Sequence, residues 1–451
     1  MLGARPGISG TTRSFDPEPM SPSAPAAARD SALDLLRFRP FRLLFTIRLA
    51  SQTASQMLGV VVGWHIYNVT GSALDLGMIG LVQFLPAVLL ALHAGQVADR
   101  HDRRHVLRAC FAVEVVVPLG FLALANAADP PLILFYVLLL VNASARAFEG
   151  PALQALLPSM VGRERLSRAI ALSTSGQKLS TLIGPSLAGV IYLLGASVDY
   201  AACFALIALA AWSAIVLPLP PFAERGGRKA DLGTVFSGLR LIWGTPVLLA
   251  LMSLDLLATF FGGVAALLPI FAKDILDAGP WAFGLLRSAP AVGALLMALV
   301  MARWPVRHGA GRLVFAGVAA YGVFTILFGL SENLVLSVIC MVGVGAGDML
   351  GQVLRQTIIQ LRIPDDMRGR VAAVSGLSVH VGAHLGQFES GVTAVWFGAV
   401  GSVLFGGAAV LAVVAAWMHK FPELRRIDAP DEPDRPDTPA DRLATGRSSA
   451  S

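Results

Sequence analysis

Gly95-Gln-Val-Ala-Asp-Arg-His-Asp-Arg-Arg104 is a short polar run set between two apolar stretches. Asp99 stands directly against Arg100, and Arg103 and Arg104 follow within a turn. Any polar turn would join two lipid-soluble segments. A helix end carrying one acid and three cations is more particular, because a carboxylate can face the positive N-terminus of another helix while arginines pair across a seam. Contacts of that kind form in one arrangement of two bodies and break in the other, so they bias a two-state equilibrium.

Working outward from this run, the flanking sequence is oily. Hydrophobic residues make up 55% of the 451 and charged residues 14%, with a mean hydropathy of +0.68. A soluble domain carries about 25% charged residues. Repeated runs of about twenty residues with almost no charge are long enough to cross a hydrocarbon core as helices. They are continuous rather than alternating, which selects helices over a barrel. The expected fold is therefore an all-α polytopic membrane protein. The net charge of +6 and pI near 9.6 are distributed over short loops, which reads as topology rather than nucleic-acid binding. Cys110, Cys203 and Cys340 all fall in apolar runs, so neither a disulfide framework nor a metal site is expected.

Twelve spans are expected at roughly 41–68, 73–97, 105–127, 131–157, 168–195, 198–219, 246–273, 280–302, 312–331, 333–361, 370–397 and 399–419. Residues 1–34 and 421–451 read as disordered ends, 35–220 and 246–420 as two six-helix bundles, and 221–245 as a central loop. Arginines fall in alternate loops: Arg37, Arg39 and Arg42, then Arg100 to Arg104, Arg163 to Arg168, Arg225 to Lys229, Arg303 to Arg312, and Arg362 to Arg370. The positive-inside rule puts these loops and both termini in the cytoplasm. Lys273, beside Asp274, breaks the pattern.

The halves repeat. Gly80-Leu81 and Pro86-Ala87-Val88 recur as Gly284-Leu285 and Pro290-Ala291-Val292, and Arg168, Ser173, Gly184 and Gly189 recur as Arg370, Ser375, Gly386 and Gly391. Parallel repeats of this kind place a substrate site near the midplane between halves that rock against each other. Arg303 occupies the position matching Asp99, so the acidic latch is expected in one half only.

With Gly95, Val97, Ala98, Asp99, Arg100, Arg103, Arg104 and Leu107 so spaced, the run resembles the loop 2–3 signature of the major facilitator superfamily; Asp102 departs from it, where the common pattern has Gly. That Asp, with Gly63-Trp64 and Arg146 to Ala152, resembles the branch of secretion proteins that includes the enterobactin exporter. The resemblance implies a twelve-helix transporter of two pseudo-symmetric halves. It also implies a conformational latch at Gly95, Asp99, Arg100, Arg103 and Arg104 that holds the outward-open state, and a central cavity lined by helices one, four, seven and ten. Gly184-Pro185-Ser186-Leu187-Ala188-Gly189 resembles the helix-five motif of proton-driven antiporters, with Gly184, Pro185 and Gly189 as the bend residues, although Ser180 and Ala188 replace glycines of the usual pattern.

Helical spacing sorts the intramembrane polar residues into stripes. Arg48, Gln52 and Gln56 share a face of helix one; Asn142, Arg146 and Glu149 share one of helix four; Asp255 and Thr259 mark helix seven; Asp348, Gln352, Arg355 and Gln356 mark helix ten. Each ionisable group costs at least ~2.5–3.5 kcal/mol at the bilayer centre, so each needs a use or a partner. The functional reading is a wet cavity for a polar or amphipathic small molecule, with protons as coupling ion. The proton candidates are Glu149, with Arg146 one turn away, then Asp255, Asp348 and the isolated Glu114 on helix three. Static Arg146–Glu149 and Asp348–Arg355 ion pairs are the structural alternative. His380 and His384 read as packing histidines. No phosphate-binding loop and no nucleophile–base set is present, so no cofactor and no enzymatic activity are expected, and an ion gradient is left as the energy source. The overall expectation is a monomeric exporter of the bacterial inner membrane, carrying a siderophore-like or drug-like molecule. An importer or uniporter is the alternative, and a non-transporting sensor or scaffold is further off.

Overall fold

The computed structural model describes residues 32–218, 239–363 and 367–428. Residues 1–31 and 429–451 of the expected disordered ends, 1–34 and 421–451, and most of the central loop lie outside the described residues. Twelve spanning segments run through the rest. They are α1 (Arg39–Thr70), α2 (Ala73–Leu89, continued by Ala91–Arg100), α3 (Arg103–Ala125), α4 (Leu132–Met160), α5 (Arg163–Ile191), α6 (Ala196–Val216), α7 (Pro246–Phe261, continued through short turns to Ile275), α8 (Gly279–Arg303), α9 (Ala310–Gly329) and α10 (Leu334–Arg362), followed by α11 (368–397) and α12 (399–420). The last two are separate helices joined directly at Gly398, which takes φ 73° and ψ 170°. There the chain doubles back, and the Ser402 hydroxyl donates to the Ser390 carbonyl at 3.0 Å across the turn.

Eight of the described helices are individually long and apolar enough to cross a bilayer. α1 and α5 are as long but more polar; Arg368–Lys420 holds two spans. Leu295, Leu299, Trp212 and Trp396 stay exposed on outer faces, as lipid-facing residues do. Pro86 lies one turn before the break at Leu90 in α2, where it removes a backbone donor.

Helix contacts group α1–α6 and α7–α12, with two seams between the groups: α2 on α11 and α5 on α8. Both seams are built on glycine. A Cβ on Gly189 would stand 2.8 Å from the Pro280 carbonyl oxygen and 3.1 Å from the Gly284 Cα, and one on Gly391 would stand 2.6 Å from the Gly77 Cα. Gly189 and Gly391 are the repeat-related positions, so the duplication appears in space as two matching close approaches.

Two boundaries differ from expectation. Residues 32–34, assigned to a disordered end, open a short 3-10 helix, Ala32–Arg37, that leads into α1. The chain after 420 also remains ordered: Pro422–Arg425 is a short helix, Leu424 is fully buried, and the Asp428 carbonyl accepts the Ala310 N–H at 2.9 Å. Two apolar residues in an otherwise polar tail, Leu424 and Ile427, anchor it to the start of α9. The Asp428 carboxylate accepts the Gly309 N–H at 2.8 Å and contacts His308 Nδ1 at 2.9 Å, which holds it below the usual carboxylate range.

Candidate functional site

In the first half, α1, α4 and α5 enclose a cavity of about 100 Å³ lined by Arg48, Gln52, Arg146, Glu149, Gln154 and Gln177. Glu149 is its centre and is 4% exposed. Its Oε1 accepts the Ser51 hydroxyl at 2.6 Å, and its Oε2 lies 3.4 Å from Arg146 Nη1. Arg146 also donates to Gln52 Oε1 at 3.2 Å, so its guanidinium is shared between an acid on its own helix and a neutral acceptor on α1. Arg48 is fixed elsewhere, donating to Ser173 Oγ and the Leu153 carbonyl, both at 2.8 Å. Glu114, isolated in sequence, is 1% exposed and lies close enough to Glu149 for the two charges to act on each other. α3 thus supplies a second acid that one-dimensional spacing could not place beside the first.

In the second half, α7, α9, α10 and α11 enclose a cavity of about 180 Å³ whose polar lining is Asp255, Thr259, Tyr321, Asp348, Gln352 and Arg355. The expected Asp348–Arg355 pair is not the one formed. Arg355 pairs with Asp255 across from α10 to α7, leaving Asp348 on the cavity wall. Asp348 and Arg355 are two helical turns apart on α10, whereas α7 brings Asp255 directly opposite. Gln56 is drawn to α5, where it donates to Thr181 Oγ1 at 3.3 Å; Gln56, Asn142 and Gln356 line neither cavity.

The two halves meet at the end of the α1–α2 turn. Tyr67 O–H donates to Asp274, and Lys273 Nζ donates to Asn68 Oδ1 at 2.7 Å. Trp64 stacks on Phe283 at 6.1 Å, and the Ser186 and Ser288 hydroxyls share a 2.7 Å hydrogen bond. Lys273 and Asp274 sit in a π-helical turn, Phe271–Ile275, which presents both neighbours toward α1. The residue that breaks the charge alternation is therefore part of a contact between the halves, and that anomaly is its sequence signal.

At the opposite end, Gly95 and Asp99 lie in Ala91–Arg100; the Asp99 side chain lies outside the described residues. Arg100 is exposed, and Arg103 Nη1 donates to the Ala155 carbonyl at 2.9 Å, tying the loop to α4. Asp102, the departure from the superfamily pattern, caps α3 by accepting the Arg104 backbone N–H at 2.9 Å. In the helix-five motif, a Cβ on Gly184 would stand 2.7 Å from Gln56 Cβ, so Gly184 serves packing on α1 and Gly189 packing on α8.

Twelve spans in two groups of six, glycine-built seams and a charged cavity in each group define a transporter of the major facilitator type. The chain belongs to the transmembrane secretion effector family, whose model it matches over residues 30–446. It is 26% identical to the enterobactin exporter EntS of Citrobacter koseri over 411 residues, covering 88% of this chain and 96% of that one. Against EntS of Shigella boydii the identity is 27% over 408 residues, with 87% and 95% covered. Its fold is similar to a mutant of the nucleoside transporter NupG, with a TM-score of 0.69 at 13% identity, covering 85% of this chain and 100% of that one. A bacterial homolog of the lysosomal transporter Spinster, solved inward-facing and unoccupied, gives 0.65 at 14% identity, with 88% and 97% covered.

Proposed function

We propose that this chain is a proton-coupled exporter of a siderophore-like or drug-like small molecule, working by alternating access in a bacterial inner membrane. The observation that carries the reading is the buried Glu114–Glu149 carboxyl pair beside Arg146. We take this pair as the site of the transported proton, because two neighbouring carboxyls do not comfortably carry two negative charges. When that proton leaves, Glu149 and Arg146 form a full ion pair; when it returns, Arg146 is released toward Gln52 and the cavity. Proton occupancy and cavity charge are then linked, which is what coupling requires. A charge crossing 100 mV yields ~2.3 kcal/mol, so at about 150 mV one proton supports a gradient of a few hundredfold.

With the arginine-rich loops in the cytoplasm, the sealed α1–α2 end faces outward, and the state described is the outward-closed one. Asp99 then belongs to the latch of the alternate state. Export is favoured by the relatives, which are named as enterobactin exporters. The test is directional: everted vesicles carrying the protein should accumulate enterobactin or a hydrophobic drug only while the pH gradient stands. Accumulation that survives collapse of the gradient favours a uniporter, and accumulation confined to right-side-out vesicles favours an importer.

A further inference from the structure

Arg287 is a guanidinium that no sequence stripe contains. It lies on α8, eight residues and about 12 Å in from the helix start at Gly279. Its neighbour one turn earlier, Phe283, stacks on Trp64 of α1, while Gly284 and Ser288 face α5. Arg287 is thereby directed to α1, where a Cβ on Gly59 would stand 3.5 Å from its Nη2. Gly59 is eleven residues before the end of α1 at Thr70, so the guanidinium turns inward rather than snorkelling to the nearby surface.

Every other interior arginine on these faces is engaged. Arg48 holds Ser173 and Leu153, Arg146 holds Glu149 and Gln52, and Arg355 holds Asp255. Arg287 is half-buried and has no hydrogen-bond or ion-pair partner among the described residues, and no charged side chain acts on it. A charge without a counter-ion in a membrane helix is costly and is retained where it serves a pathway. Two features suit it to a ligand: Gly59 puts no side chain between the guanidinium and α1, and it stands just inside the sealed end. Arg146 meets the same helix at Gln52, two turns or about 10 Å further from that end. Along α1 there is thus one guanidinium from each half, and the one without a counter-ion comes from α8.

We propose that Arg287 is an anion-recognition residue at the interface of the two halves, so that the cargo is an organic anion whose carboxylate or catecholate oxygens dock on this guanidinium against Gly59. Bidentate oxygen pairs match the planar guanidinium fork, which a lysine reproduces in charge but not in geometry. The inference rests on the reading of the chain as a small-molecule transporter, but not on its direction or coupling ion.

Equilibrium binding to the purified protein in detergent, with no gradient present, tests it. The probes are carboxyfluorescein, followed by fluorescence anisotropy, and the permanent cation ethidium, with 2,3-dihydroxybenzoate as competitor. Carboxyfluorescein should bind the wild type and be displaced by the catecholate. Arg287→Gln should weaken that binding by at least about tenfold, while Arg287→Lys weakens it by about threefold. Gly59→Leu, which keeps the charge but fills the space beside Nη2, should also weaken it, and ethidium binding should be unchanged throughout. Monodisperse elution and an unshifted thermal midpoint separate these effects from misfolding. Absence of carboxyfluorescein binding to the wild type, or equal binding by Arg287→Gln, overturns the proposal. Failure of gradient-driven accumulation in vesicles, with anion binding intact, would instead count against the exporter reading alone.

Discussion

Gly189→Ala places one methyl group into the α5–α8 seam. Its Cβ would lie 2.8 Å from the Pro280 carbonyl oxygen and 3.1 Å from the Cα atoms of Gly284 and Trp281. All three are backbone atoms, so no side-chain rotation relieves the contact; the helices must part by several tenths of an ångström. Overpacking of this kind costs about 1–3 kcal/mol. The cost falls on the state in which the α1–α2 end is sealed and not on a state in which that seam has opened. The ratio of sealed to open forms should therefore drop by about 5–150-fold, since 1.4 kcal/mol is a factor of ten. Spin labels on α6 and α12 near the α1–α2 end, read by pulsed electron resonance, would report a longer distance population. Gly391→Ala should act alike at the α2–α11 seam, and the two should add because they touch separate helices. Gly150→Ala, where nothing lies within 4 Å of the added carbon, is the matched control. An unchanged distance distribution in Gly189→Ala and Gly391→Ala would refute the assignment of these seams to the outer closure.

Three further perturbations follow from particular contacts. Asp255→Asn leaves Arg355, 4% exposed, without its counter-ion, and should destabilise the protein by about 3–5 kcal/mol, seen as a lower thermal midpoint that Arg355→Met added to it restores. Lys273→Met with Asp274→Asn removes charged partners of Asn68 and Tyr67, and should speed labelling of a cysteine placed at Thr70 while leaving cavity labelling unchanged. Asp428→Asn should raise hydrogen exchange at Gly309 and Ala310. Because the Asp428 carboxyl is held below its ordinary value by His308 and the Gly309 N–H, its contribution is complete above the ordinary carboxylate range and is lost as pH falls through the lowered value. The protection factor at Gly309 should follow that direction.

The spans were legible because a bilayer demands long continuous apolar runs, and α4, α8 and α10 begin and end within a few residues of where those runs do. What was not legible depends on neighbours supplied by other helices. Glu114 is isolated in sequence because its neighbour Glu149 is on α4, and spacing along α10 offers Arg355 only Asp348 because Asp255 comes from α7. The end of α7 reads as uninterrupted apolar helix, yet Gly262 and Gly263 let it break into short turns that aim Lys273 and Asp274 at α1. Arg287 lies on α8, outside the four helices given a polar stripe, and only the close approach of Gly59 exposes its position. The glycine motif of α5 was recognised, but its use is packing against Gln56 and Gly284, which no spacing within α5 reveals.

The most direct measurement is proton release coupled to transport in everted vesicles with an acid interior, followed with a pH-sensitive dye. The expected result is alkalinisation of the lumen on adding an accumulated substrate, abolished in Glu149→Gln and reduced in Glu114→Gln while both variants still bind the substrate. Undiminished proton release from Glu149→Gln would contradict the carboxyl pair as the coupling site.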